Sequence, residues 1–293
     1  MQSRLPPPAR TWRRVLAARP LLCSALDPSA QPALERLHRS LQTFYNSEVT
    51  RRYFAAAESS NDEWTPAMRP QWHLKAHVPV GASVLDLGCG SAHVIRHLGD
   101  RRPAYVGVDW SQDQVTVNKQ LYPGAEFVAA SLYDVDFDRQ FDLVISLYVV
   151  EHLVWPHRML DRMFALTKPG GLIAIMTPPF RHREYLKSFD YGLSAMPFKE
   201  KVRQGRAIDA LIHTYQHRHA FPRHIRTHFP RGTERGQFLI HLEPVCLRGA
   251  SWFPDADAVY LADTDEIGRY LVVHGAAIVE HWPDWGYVLL KKR

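Results

Sequence analysis

Cysteine is scarce in this chain: Cys23, Cys89 and Cys246 are the only three among 293 residues, and they lie far apart. That scarcity excludes a disulfide framework and any paired-cysteine zinc spacing, and it fits a reducing, cytoplasmic setting. Long apolar runs are missing too. The strongest, such as Leu172 to Met176, have the length of a buried strand rather than of a bilayer span, so no membrane partner is expected. No internal repeat is visible. Positive charge is thin over most of the chain, because its formal +6 is concentrated in two places. Residues 1–30 carry five Arg against one Asp, and residues 181–235 carry twelve Lys and Arg against five Asp and Glu. The remainder is mildly acidic, at −5. What is present, 46% hydrophobic and 23% charged residues, is the balance of a globular domain, long enough here to carry a large insertion.

The segment from Met1 to about Ala30 is rich in Arg and Pro without periodicity, and reads as a loosely docked tail. Arg10, Arg13, Arg14 and Arg19 give it some of the look of an organelle-targeting segment, but Pro6-Pro7-Pro8 interrupts any amphipathic helix. Residues 31–80 read as a helical cap. Leu34, Leu37, Leu41, Phe44 and Tyr45 fall at helical spacing, and Val49, Tyr53, Phe54 and Ala57 continue it. From residue 81 to 177 the pattern changes. Ser83–Leu87, Tyr105–Val108, Glu126–Ala129, Leu143–Ser146 and Leu172–Met176 are short apolar runs. Helical segments at about Ala92–Leu98, Ser111–Leu121 and Met159–Thr167 separate them. This alternation predicts a parallel sheet with helices on both faces. Ser111 with Gln114 has capping-box spacing. The alternation stops from Pro178 to Asp263 and resumes over residues 264–293. There Thr264 reads as the N-cap of a helix, and Ala276–Val279 and Tyr287–Leu290 as two strands joined through Trp282-Pro283-Asp284-Trp285-Gly286.

The decisive stretch is Val84-Leu85-Asp86-Leu87-Gly88-Cys89-Gly90-Ser91, a strand running into a turn with glycine at alternate positions. Glycine there lets backbone approach a ligand without a side chain in the way. The third glycine of the dinucleotide pattern is missing, since His93 stands in its place. Asp86, two residues before the turn, suits a cationic ligand group better than a pyrophosphate. Asp109 ends the next strand about 20 residues later, where a carboxylate can accept both hydroxyls of a ribose.

These residues resemble the class I S-adenosylmethionine-dependent methyltransferases. Asp86–Ser91 looks like their first motif and Val106-Gly107-Val108-Asp109 like their second. Phe141-Asp142-Leu143-Val144 with Val150-Glu151-His152 is similar to their fourth-strand signature, and its Glu-His resembles that of the ubiquinone-biosynthesis O-methyltransferases and their relatives. Leu166-Thr167-Lys168-Pro169-Gly170-Gly171 is similar to the turn before their fifth strand. The resemblance implies an α/β fold, doubly wound, with a seven-stranded sheet whose last strand is antiparallel. It also implies an N-terminal helical cap and a lid insertion after strand 5, and S-adenosyl-L-methionine as cofactor. Gly88 and Gly90 then pass under the methionine part, with Asp86 near the sulfonium or amino group and Cys89 beside them in the turn. Asp109 holds the ribose, Trp110 packs on the adenine, Leu132 flanks it, and Ser146 closes the fourth strand beside the cofactor. Ser131 departs from the family, many of whose members carry Asp there.

For the acceptor, His152 is the candidate base. It also reads as a structural His beside Glu151 at a helix start. Tyr148 stands where several ubiquinone-biosynthesis relatives carry an acidic residue, so their metal-assisted chemistry does not carry over and no metal is expected. Substrate contacts are expected from Tyr45, Tyr53 and Tyr148, and from Arg181, His182, Tyr185, His213, Tyr215 and His217 in the insertion. The lead expectation is methyl transfer to a small, acidic organic acceptor at O or N, by a monomer or homodimer. The basic, aromatic insertion also keeps an RNA or protein acceptor open, and a cofactor-binding partner protein without catalysis is a third reading.

Overall fold

In the computed structural model, residues 21–47, 69–178, 198–229, 236–248 and 257–293 are described. In chain order the elements begin with β1 (Leu22–Ser24), α1 (Gln31–Tyr45), α2 (Arg69–His77), β2 (Ser83–Leu87) and α3 (His93–His97). Next come β3 (Ala104–Asp109), α4 (Gln112–Leu121), β4 (Glu126–Ala129), β5 (Phe141–Leu147), α5 (Pro156–Leu166) and β6 (Thr167–Met176). The remainder is α6 (Phe198–Arg203), α7 (Ala207–Tyr215), α8 (Phe221–His228), β7 (Leu239–His241), α9 (Thr264–Val273), β8 (Ala276–Trp282) and β9 (Tyr287–Lys292). Among the described residues, no helix is long and apolar enough to cross a membrane.

Seven strands form one sheet in the order β4-β3-β2-β5-β6-β9-β8. The first five are parallel, and β9, the last strand in sequence, runs antiparallel to both β6 and β8. Side chains alternate across it as strand geometry requires. Leu85, Leu87, Val106, Val108, Val144, Ile173, Ile175, Val288 and Leu290 face one core with α1, α5 and α9. Val84, Tyr105, Leu143, Ile145, Ala174, Met176, Tyr287 and Leu289 face the other, with α2 and α3. The sheet is therefore covered on both sides, and its carboxyl edge is where the turns after β2, β3, β4 and β5 collect. In open α/β sheets that edge receives the ligand.

Two boundaries depart from the sequence reading. Residues 21–30 are not a loose tail. Leu22, Cys23 and Ser24 pair antiparallel with His241, Ile240 and Leu239, Ala25 and Ala30 are buried, and Asp27 caps a short turn through the Ser29 N–H, 2.8 Å away. The N-cap of α9 is Asp263, whose carboxylate accepts from the Asp265 and Glu266 N–H groups, so Thr264 is its first helical residue. Ser111, by contrast, caps α4 as expected, accepting from the Gln114 N–H at 3.2 Å. The insertion is largely helical where described. α7 runs through a π-helical turn at Gln216–Ala220 into α8, just before Pro222. Proline has no N–H and crowds the preceding turn, and a widened turn relieves both problems.

Candidate functional site

The turn after β2 is built to stay bare. Gly88 has φ +82°, and a Cβ placed there would lie 2.5 Å from Val149 Cγ2. Gly90 is also left-handed, at φ +48°. Their backbone is pinned from below: the Gly88 and Cys89 N–H groups both donate to the Val108 carbonyl, at 2.8 and 3.0 Å. From α4, buried Asn118 donates its amide to the Gly90 carbonyl at 2.7 Å, and Gln114 holds Asn118 in turn. Sequence reading missed this pair. Its signal is two amides four residues apart on the inner face of a helix.

Asp109 ends β3 and is buried. One carboxylate oxygen accepts from the Gly90 N–H and the other from the Ser111 N–H, each at 2.9 Å. Burial raises its pKa, against the opposing backbone N–H groups of Ser111, Gly90 and Trp110. Each carboxylate oxygen has a second lone pair, so the group that braces the turn can still accept from a diol. Asp86 is 2% exposed and lies under the turn, where the Tyr105 hydroxyl donates to it at 2.7 Å. Burial pushes its carboxyl up to about 7; the Tyr105 hydrogen bond opposes the shift and the charge of Asp109 adds to it.

Cys89 and Ser146 lie beneath the turn. The Cys89 side chain is buried and packs where a Cβ of Gly107 would be. Ser146 is fully buried and donates to the Leu87 carbonyl at 3.0 Å. Both side chains brace the strand ends that carry the turn. Ser131 donates to Asp134 at 3.1 Å, which brings a carboxylate close to the position where relatives carry Asp. Leu132 is buried. Trp110 stacks on His38 of α1 at 5.0 Å, and His38 also touches Tyr133 and Trp155. The helical cap thus reaches Trp110, Tyr133 and Trp155 directly.

Beyond β5 the backbone turns sharply. Tyr148 has φ +58° and its N–H donates to the Met176 carbonyl at 2.7 Å. Such a conformation costs a non-glycine residue about 1 kcal/mol or more and gathers at functional sites. The Tyr148 ring is half exposed, with Gln71 of α2 reaching its hydroxyl at 3.4 Å. Next come Glu151, fully buried and hydrogen-bonded by Thr177 at 3.1 Å, and His152. The His152 Nδ1 lies 3.2 Å from the carboxylate of Asp257, and its Nε2 lies 3.7 Å from that of Glu151. Tyr45, at the end of α1, donates its hydroxyl to the same Asp257 oxygen and leans on Trp110 with centroids 6.1 Å apart. Burial acts to raise Asp257, but the charge of His152 and the hydrogen bonds outweigh it, and the carboxyl lies below its ordinary value. The structure therefore joins Tyr45 and His152 through a residue that sequence reading did not select.

The insertion residues are placed differently. His213 hydrogen-bonds with Lys201. Tyr215 is half exposed and packs beside His219, with ring centroids 5.7 Å apart. His217 lies in the π-helical turn. Tyr53, Arg181, His182 and Tyr185 fall outside the described residues.

A bare, pinned turn, a buried carboxylate with spare lone pairs and an aromatic neighbour fit S-adenosylmethionine, whose contribution when bound is an electrophilic methyl group. Residues 37–230 match the model of a methyltransferase-domain family. The chain belongs to that family. Its members take the methyl group from S-adenosylmethionine. The chain is 28% identical over 165 residues to a trans-aconitate 2-methyltransferase of Paracidovorax citrulli, covering 51% of this chain and 64% of that protein. It is 29% identical over 122 residues to a ubiquinone biosynthesis O-methyltransferase of Nitrobacter winogradskyi, covering 40% and 45%. The chain thus spans less than two thirds of these curated relatives. Among solved structures, a 1,6-didemethyltoxoflavin-N1-methyltransferase of Burkholderia thailandensis with bound S-adenosylhomocysteine shares the fold over 88% of this chain and 89% of its own. The TM-score is 0.51 and the identity 15%.

Proposed function

We propose that this methyltransferase-domain protein moves the methyl group of S-adenosyl-L-methionine to the oxygen or nitrogen of a small organic acceptor that carries an acidic group. The observation that carries this reading is the convergence at the sheet's carboxyl edge. The cofactor turn at Gly88 and Gly90, the base candidate His152 and the aromatic residues Tyr45 and Tyr148 all belong to loops and helices gathered there. Gly88, Gly90, Asp109, Trp110 and Leu132 hold the cofactor, with Asp86 beneath them. Tyr45 and Tyr148 wall the acceptor, and His152 takes its proton. Holding acceptor and donor in line supplies much of the rate in such transfers, up to about 7–11 kcal/mol in favourable cases. Tyr45 of α1 and Gln71 of α2 reach this edge from the cap side, and Asp257 reaches it from the far end of the insertion, an arrangement that suits a small acceptor. The two relatives named for methyl transfer in trans-aconitate and ubiquinone chemistry support an oxygen acceptor on a small molecule.

The test is a methyl-transfer screen over small carboxylic acids, phenols, amines and bulk RNA, run beside calorimetry of S-adenosylmethionine. The expected result is transfer to one of the small-molecule classes. Asp109→Ala is expected to weaken cofactor binding by about 1.5–3 kcal/mol, the range for a hydrogen bond to a charged group. Transfer to RNA alone would overturn the acceptor class, and unchanged affinity in folded Asp109→Ala would overturn the cofactor site.

A further inference from the structure

Three distant parts of the chain meet at one buried carboxylate. Asp257 lies just ahead of the segment Val259–Ala262, whose backbone is fixed on two sides. The Val259 and Tyr260 N–H groups donate to the Glu151 carbonyl at 2.8 and 2.9 Å, and the His241 N–H donates to Val259 at 2.8 Å. The position of Asp257 relative to Glu151 and His152 is therefore set by backbone. Its side chain is 4% exposed. One oxygen takes the Tyr45 hydroxyl and faces His152 Nδ1. The other is buried and takes no hydrogen bond among the described residues. A buried carboxylate costs stability unless it is compensated, so its retention here calls for a role.

The imidazole has a defined orientation. Nδ1 is buried, yet the His152 side chain as a whole is 20% exposed, so the accessible part of the ring lies away from Nδ1. The Nδ1 contact with Asp257, at 3.2 Å, is an ion pair, and contacts of this kind tighten when a site fills. Glu151 flanks the Nε2 side at 3.7 Å, beyond hydrogen-bond length but close enough to stabilise a positive ring. The ionisable groups around this centre are Glu151 beside it, Asp257 across it, Tyr45 from α1, and Cys246, which is near Asp257.

We propose that Asp257 is the positioning residue of a proton-accepting centre on His152. It fixes the imidazole with Nδ1–H toward itself, so that Nε2 receives the acceptor's proton. This inference rests on the methyl-transfer reading above. The proton balance is simple. The acceptor's O–H or N–H gives its proton to neutral Nε2 as its lone pair forms the new bond to the methyl carbon; the sulfur–methyl bond breaks, its electron pair leaves on sulfur as the neutral thioether, and the resulting imidazolium passes the proton to solvent. Asp257 and Glu151 stay ionised throughout and stabilise the imidazolium between them. Tyr45 ties the assembly to Trp110, so the base is held by the same helix that covers the adenine side.

Two measurements on the full chain test this. Nitrogen–proton correlation NMR of the histidine rings, without cofactor, is expected to find the neutral His152 ring protonated at Nδ1. In Asp257→Asn its pKa is expected to fall by about one unit, as for loss of one adjacent carboxylate. With a hydroxyl acceptor from the screen, Asp257→Asn is expected to lower kcat about 100-fold with KM changed less than threefold. His152→Gln should lose at least as much, and Asp257→Glu should recover part of the rate. An unmoved His152 titration in Asp257→Asn would overturn the proposal even if no acceptor is found. If methyl transfer occurs and His152→Gln keeps its kcat, the methyltransferase reading stands and the proposal falls.

Discussion

The proposed cofactor half and the proposed acceptor half of this protein are assembled in opposite ways. The cofactor half is local. Asp86, Gly88, Gly90, Asp109 and Asn118 fall within 33 residues, on consecutive elements of one sheet, and their hydrogen bonds join neighbours: the Gly90 N–H to Asp109, Asn118 to the Gly90 carbonyl. The acceptor half is assembled over long range. Tyr45 and Asp257 are 212 positions apart in the chain and meet with His152 only because α1 and the segment before Val259 fold over the end of β5. Geometry written into one short stretch survives as a motif, whereas geometry shared among three stretches leaves no spacing to read.

The largest effect that sharpens this contrast is expected at Gly88. In Gly88→Ala the new Cβ meets Val149 and the backbone must hold φ +82°. Left-handed strain and overpacking together amount to about 2–4 kcal/mol. Both the melting temperature and the S-adenosylmethionine affinity are expected to fall. Adding Val149→Ala removes the clash but not the strain, so the pair should recover only part of the loss. If Gly88→Ala alone binds like the parent, the turn is not the rigid element described here.

A smaller effect is expected from pH, through Asp86. Its folded-state carboxyl is raised to about 7 by burial, while an unfolded Asp titrates near 3.9. Between those values the folded chain holds a proton that the unfolded chain has released, so this group makes stability decline as pH rises from about 4 to 7 and level above that. A cationic ligand favours the ionised form. S-adenosylmethionine affinity should therefore rise with pH toward 7, by at most about tenfold per unit for one proton, and then level. Asp86→Asn should flatten that slope and be more stable than the parent at pH 8 without ligand. Calorimetry in two buffers of different ionisation enthalpy reads the released proton. Equal slopes in parent and variant would show that Asp86 is not coupled to the cofactor.

The same contrast explains which sequence readings carried through. The parallel strands with helices on both faces followed from alternation, and Ser111 capped its helix because the capping signal is contained in four residues. A motif gives Cys89 and Ser146 a position but not a side-chain direction, and in the fold both side chains are buried under the turn. Asp257 escaped notice because it lies in Asp255-Ala256-Asp257-Ala258-Val259, a stretch with no period or turn signal that marks one carboxylate over the other. Residues 21–30 looked unpatterned because a three-residue strand has too little length to alternate. Its partner, Leu239–His241, lies more than 200 positions away.

That short strand gives the smallest and most localised expected effect. Three paired residues do not hold as a sheet by themselves. This pairing persists because Phe238, Leu239, Ile240 and Tyr260 beneath it are fully buried, and because Ile240 bridges onward to Tyr260. Ser24 closes the strap: its hydroxyl donates to the Gln237 carbonyl and accepts from the Leu26 N–H at 3.1 Å. Ser24→Ala removes both bonds, at a cost of about 0.5–1.5 kcal/mol. The cost should be concentrated in the acceptor half, because β1 pairs with β7 and with no strand of the seven-stranded sheet. Amide exchange is expected to speed up at Leu239–His241 and Tyr260–Ala262, while β2, β3 and β5 keep their protection and S-adenosylmethionine affinity stays within twofold. Because Asp257 stands directly ahead of the loosened segment, the rate of transfer should drop more than the affinity does. Loss of protection spread evenly through the sheet would mean that the two halves unfold as one unit, and the division between a local cofactor site and a long-range acceptor site would lose its energetic meaning.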